Sequence, residues 1–194
     1  MSNQEILNRL KLFGMNNLTL EKELLKLEKS GINIGRSTSI KSEEVVDTDL
    51  FESELLARGQ KMADFYVLYY CIENTIRALI LERMVEKHGA TWWDTKVPTK
   101  VKDEVRDRQE REKDTPMAIR STDPLAYTTF GELIVILDAN WTDFADTIRS
   151  QKAMQKILSE LNSLRGVVAH SADLSDDDID RFKLLIRDWL RIQT

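Results

Sequence analysis

Phe65-Tyr66-Val67-Leu68-Tyr69-Tyr70-Cys71-Ile72 runs for eight residues without a charge, a glycine or a proline. It lies inside residues 50–87, which read as one long helical segment. Because this middle is apolar nearly all round, it predicts a central, buried helix with Cys71 packed in the core. His88-Gly89 closes the segment, with glycine as the C-terminal stop and His88 as a capping cation. Toward the N-terminus, residues 31–49 hold Gly31, Gly35 and a polar, charged mixture that reads as a flexible linker. Before it, Ile6, Leu7, Leu10, Phe13, Leu18, Leu20, Leu24, Leu25 and Leu27 fall near helical period. Gly14 and Asn16-Asn17 divide these positions into two short helices.

Toward the C-terminus the pattern stays helical. Residues 97–113 are highly charged, with Val97, Val101 and Val105 as a thin apolar seam at four-residue spacing. Residues 114–126 form a loop containing Pro116 and Pro124, and residues 127–137 predict an apolar helix. A short helix is expected over 141–148. A longer amphipathic one follows, carrying Met154, Ile157, Leu158, Leu161, Leu164 and Val168 and ending near Ala169. Ser175 can cap the last helix, and Asp176-Asp177-Asp178 complement its positive end. Phe182, Leu185, Ile186, Trp189 and Leu190 give that helix a buried face. The fold class is therefore all-α, divided into a helical extension at 1–30, a linker at 31–49 and a helical domain at 50–194.

Composition narrows the function classes. Of 194 residues, 42% are hydrophobic, enough for a real core and too many for a disordered chain. No apolar run approaches the roughly 20 residues of a membrane span, so no membrane association is expected. The opening Met-Ser-Asn-Gln-Glu lacks the layout of a signal peptide. The single cysteine, Cys71, cannot form an internal disulfide, and a cytoplasmic setting is expected. A net charge of −5 argues against loose, charge-driven binding of nucleic acid over the whole surface. No phosphate-cradling glycine loop, zinc-spaced Cys/His set or Ser-His-Asp arrangement is present, and neither metal nor cofactor is expected.

The chemistry concentrates in Leu164-Arg165-Gly166-Val167-Val168-Ala169-His170. Arg165 keeps its charge at any ordinary pH and offers a planar fork of donors suited to phosphate. His170 changes protonation near neutrality. Positions five apart point about 140° away from each other on a regular helix. The two side chains share a face only if the helix ends or bends between them, for which Gly166 is the opening.

Further landmarks occur in order: Ile72-Glu73-Asn74-Thr75-Ile76-Arg77, then Trp92-Trp93 and Pro98, then Pro124-Leu125-Ala126-Tyr127-Thr128-Thr129-Phe130-Gly131-Glu132-Leu133, then Trp141 and Phe144, and finally Arg165 and His170. With them, residues 55–194 resemble the HEPN superfamily, most closely its Swt-type branch. The resemblance implies a helical bundle that usually dimerises, with the Arg and His motifs of two protomers facing across one cleft. It also implies metal-independent endoribonuclease activity on RNA, in settings that include toxins and phage defence. Arg165 and His170 are then the catalytic pair, and Glu73 and Asn74 the polar residues that support them. The chain departs from the family pattern at Gly166, where a polar residue, often Asn, is common. Loss of that amide weakens the orientation of the phosphate or of His170.

Each of these residues also has a plainer reading. Arg165 and His170 could be a hydrogen-bonding pair at a helix end, and Glu73 and Asn74 a structural network. Trp92-Trp93 read as closing the bundle. The segment 96–120 holds eight cations with six acids interleaved, the mark of a solvated face, although Lys100, Arg106 and Arg108 are placed to follow an RNA backbone. Two other functions therefore stand beside the nuclease. One is a catalytically silent module that binds RNA or a partner protein. The other is a helical scaffold whose residues 1–30 dock onto a neutralising or effector protein.

Overall fold

The computed structural model describes residues 50–193 together with Leu20, 22–24, Lys26 and Leu27. Two units divide the chain, Met1–Thr48 and Asp49–Thr194. In the first, the described residues are helical, Leu20 and Leu27 are exposed, and Lys26 pairs with Glu23 at 2.7 Å. The remainder of the expected extension at 1–30 and the whole of the expected linker at 31–49 lie outside the described residues.

The second unit is built from seven α-helices, and no strand occurs among the described residues. The helices are α1 (Ser53–His88), α2 (Trp92–Lys96), α3 (Thr99–Lys113), α4 (Phe130–Ala139), α5 (Trp141–Phe144), α6 (Gln151–Ala169) and α7 (Asp176–Ile192). The all-α class read from the periodicity is the observed one. Ile76, Ile80 and Met84 of α1 are fully buried, together with Phe130, Leu133, Ile136 and Leu137 of α4. Met154, Leu158 and Leu161 of α6 and Phe182 of α7 complete this core. Each such side chain contributes on the order of 1.5–3 kcal/mol by leaving water.

Helix ends follow local chemistry. Thr129 caps α4 in a capping box with Glu132, and Ser175 does the same for α7 with Asp178. The first helix ends at His88, and Gly89 takes φ 68°, the left-handed value that favours glycine. His88 is the last residue of α1 and Gly89 its cap; the His88 Nε2 lies 2.8 Å from Oδ2 of Asp143, tying α1 to α5. Val97, Val101 and Val105 are all buried, as their spacing required. Trp92 is buried and meets Trp93 edge to face at 5.6 Å.

Two expectations are corrected. Residues 65–72 are not surrounded by protein: Tyr66, Val67, Leu68 and Tyr70 are exposed, as is Cys71, which does not pack in the core. Only Phe65, Tyr69, Ile72, Ile76, Ile80 and Met84 are buried on α1, a single stripe at three- and four-residue spacing. On α7, Leu190 faces outward at 62% exposure, leaving the buried face to Ile179, Phe182, Leu185, Trp189 and Ile192. As its periodicity predicts, α6 ends at Ala169, and it runs through Gly166 without a break.

Candidate functional site

Where α6 crosses the middle of α1, the two helices enclose a cleft of about 230 Å³. Tyr66, Tyr69, Tyr70, Glu73, Asn74 and Arg77 line it from α1, and Arg165, Val168 and Ala169 from α6. These positions on α1 follow i, i+3, i+4, i+7, i+8 and i+11 spacing, so one helical stripe faces the cleft.

A chain of charged groups fixes the cleft floor. The Nη2 of Arg77 donates to the Thr128 carbonyl at 2.7 Å and to Oε1 of Glu73 at 2.5 Å. The other carboxylate oxygen, Oε2, accepts from Nε of Arg165 at 3.0 Å. Glu73 thus sits between two guanidinium groups, and the trio carries a net charge of +1. Asn74 is exposed; its Nδ2 donates to the Tyr70 carbonyl, and its Oδ1 accepts from Nη1 of Arg77 at 3.3 Å. Glu73 and Asn74 therefore touch the same arginine, but only Glu73 reaches Arg165.

Tyr69 packs beneath the trio, its ring stacked on Phe182 at 4.5 Å between centroids. Burial pushes its phenol well above the ordinary tyrosine range, against a smaller opposing effect from nearby Arg165. The hydroxyl is therefore protonated at every working pH.

His170 stands at the other end of the motif. It is the C-cap of α6, exposed, and its backbone N–H donates to the Gly166 carbonyl. The next residue, Ser171, has φ 57°, and the N–H groups of Ser171 and Ala172 donate to the carbonyls of Val168 and Val167. These two bonds form a Schellman motif, which closes the helix and fixes where the imidazole leaves it. His170 is not among the residues lining the Arg165 cleft. Within one chain, then, the cation and the imidazole do not meet in that cleft, and the straight run of α6 through Gly166 is the reason.

The three candidate RNA contacts on α3 lie elsewhere and differ among themselves. Arg108 forks onto Glu132, with Nη1 and Nη2 donating at 2.9 and 2.5 Å, and Nη1 also donates to the Tyr127 carbonyl. It braces α3 against α4. Arg106 is exposed and pairs with Asp103 at 2.8 Å; Lys100 is exposed. None of the three lines the Arg165 cleft. No cluster of three or more metal-ligating His, Cys, Asp or Glu occurs among the described residues.

Sequence reading did not find Tyr69 or Arg77 as members of the site. Tyr69 was hidden inside an apolar run, and Arg77 shows its role only once Glu73 lies four residues before it on the same face. A second cleft, of about 800 Å³, adjoins the first: Tyr66 and Val168 line both. It is bordered by Phe51, Leu55 and Met62, and its two charged groups, Arg58 and Asp173, pair with each other at 3.1 Å. No helix among the described residues is long and apolar enough to cross a membrane.

Residues 68–192 match a family model described as Swt1-like HEPN. No curated protein and no solved structure matches the chain.

Proposed function

Because the chain belongs to the Swt1-like HEPN family, we propose that it is a metal-independent endoribonuclease whose active cleft is completed by a second copy of itself. The observation that carries this reading is Arg165, held by Glu73 in a cleft that is open to solvent. The exposed apolar residues around that cleft, Tyr66, Val67 and Tyr70, support a partner subunit there. So does the wider apolar cleft beside it.

RNA supplies its own nucleophile. The 2′-oxygen attacks phosphorus, forming one O–P bond while the bond to the 5′-oxygen breaks. One imidazole takes the 2′-hydroxyl proton, and a second, protonated imidazole gives its proton to the departing 5′-oxygen. Each protomer has one His170, so two protomers supply both. Arg165 stabilises the charge that grows on the non-bridging oxygens, with Glu73 fixing the guanidinium plane beforehand. The products are a 2′,3′-cyclic phosphate and a 5′-hydroxyl, and DNA, lacking the nucleophile, resists. Lys100 and Arg106 would serve as outlying phosphate contacts. Arg108 would not, since its donors are engaged by Glu132 and Tyr127.

The test is cleavage of single-stranded RNA in chelator by matched preparations of wild type and His170→Ala. Loss of proton transfer is expected to cost on the order of 10²–10⁴ in rate. Equal rates would overturn the proposal. A second reading, a module that binds RNA or a partner without cutting, is favoured by one observation: His170 does not line the cleft of its own chain's Arg165. Binding without cleavage by the wild type would select it. A toxin or defence role and a cytoplasmic setting go with the nuclease reading.

A further inference from the structure

Tyr69 is 4% exposed, and its hydroxyl is cut off from bulk solvent without a hydrogen-bond partner among the described residues. The Nε of Arg77 is in the same condition. Both residues line the cleft of Arg165, which commits only its Nε, to Glu73. A buried hydroxyl without an acceptor is unfavourable, and phenylalanine would make the same stack on Phe182 without that cost. Packing therefore accounts for the ring of Tyr69 and not for its oxygen.

The groups left over are all donors: one O–H, one N–H and the outer edge of a guanidinium. Such a set matches an acceptor-rich anion. We propose that Tyr69 is a ligand-binding residue of this cleft, its hydroxyl donating to a non-bridging oxygen of a bound phosphodiester. This rests on the reading of the cleft as an RNA site and adds to it a contact that the Arg–His pair does not include. Arg165 keeps its Nε on Glu73, and its outer guanidinium edge is the part that meets the same phosphate. Because the phenol stays protonated, it acts as a donor and never as the base.

The test uses the full chain and a short single-stranded 2′-O-methyl oligoribonucleotide, which cannot be cleaved. Affinity by fluorescence anisotropy and thermal stability are measured for wild type, Tyr69→Phe and Arg165→Ala. Tyr69→Phe is expected to bind about tenfold more weakly, the lower end for one hydrogen bond to a charged group. Its Tm is expected to be unchanged or higher, since an unpaired hydroxyl is removed. Unchanged affinity in Tyr69→Phe, with binding lost in Arg165→Ala, would overturn the role of Tyr69 and leave the cleft as the RNA site. A fall of affinity and Tm together would assign Tyr69 to the fold instead. If wild type does not bind, or Arg165→Ala binds as well as wild type, the reading of the cleft fails along with it.

Discussion

Ser171 is a non-glycine residue with left-handed backbone, φ 57°, and it carries the bend that presents His170. A side chain in that conformation costs about 1–2 kcal/mol, so Ser171→Gly is expected to raise stability by about 1 kcal/mol. In a domain of this size that is a Tm gain of roughly 2–4 °C, read by thermal unfolding. Gly166 is the reverse case. It lies inside α6, and a Cβ built on it meets nothing within 4 Å. Gly166→Ala is expected to stabilise by about 0.5–1 kcal/mol through backbone entropy alone. Gly166→Asn, which restores the amide common in the family pattern, is expected to fold equally well and to cleave RNA faster. An unchanged rate would remove the amide from the mechanism. The sequence made Arg165 and His170 legible because charge and imidazole stand out in an apolar run. It did not reveal the Schellman turn, since serine there gives no signal of left-handed backbone, nor the unpaired oxygen of Tyr69, which needs three-dimensional neighbours to recognise.

At the scale of helices, α3 is joined to α4 by the Arg108–Glu132 fork. Burial alone would raise the Glu132 carboxyl, but hydrogen bonds from Arg108 and Thr129 outweigh it and hold the group below the usual carboxylate range. A pKa lowered by folding contributes stability in full above the unfolded value, near about 4.3. That contribution is lost as pH falls through the folded value. Glu132→Gln is therefore expected to destabilise by about 1–3 kcal/mol at neutral pH, with the gap to wild type narrowing on acidification below the carboxylate range. A gap independent of pH in denaturant titrations would show that charge is not the cause. Helix existence was readable from period, as the buried Val101 and Val105 of α3 demonstrate, while Val97 is buried from the extended backbone just before that helix. Helix surroundings were not. Residues 65–72 look apolar on every side, yet only one stripe is covered, because hydrophobicity does not say whether the cover belongs to the same chain.

For the whole molecule, that uncovered face is the feature most in need of a partner. Val67, at 56% exposure, lies on it and does not line the Arg165 cleft. Under the paired arrangement, Val67→Glu is expected to shift the protein toward monomer in light scattering and to lower cleavage in parallel, with Tm little changed. A monomeric wild type of full activity would contradict the pairing. The central claim is that one cleft needs the His170 of both protomers. It is tested most directly by mixing wild type with His170→Ala under conditions of subunit exchange and measuring metal-free RNA cleavage to 2′,3′-cyclic phosphate ends. The account predicts that activity falls as the square of the wild-type fraction, because a heterodimer holds one imidazole and lacks either the base or the acid. Activity that falls in simple proportion to the wild-type fraction, with heterodimers confirmed, would contradict it.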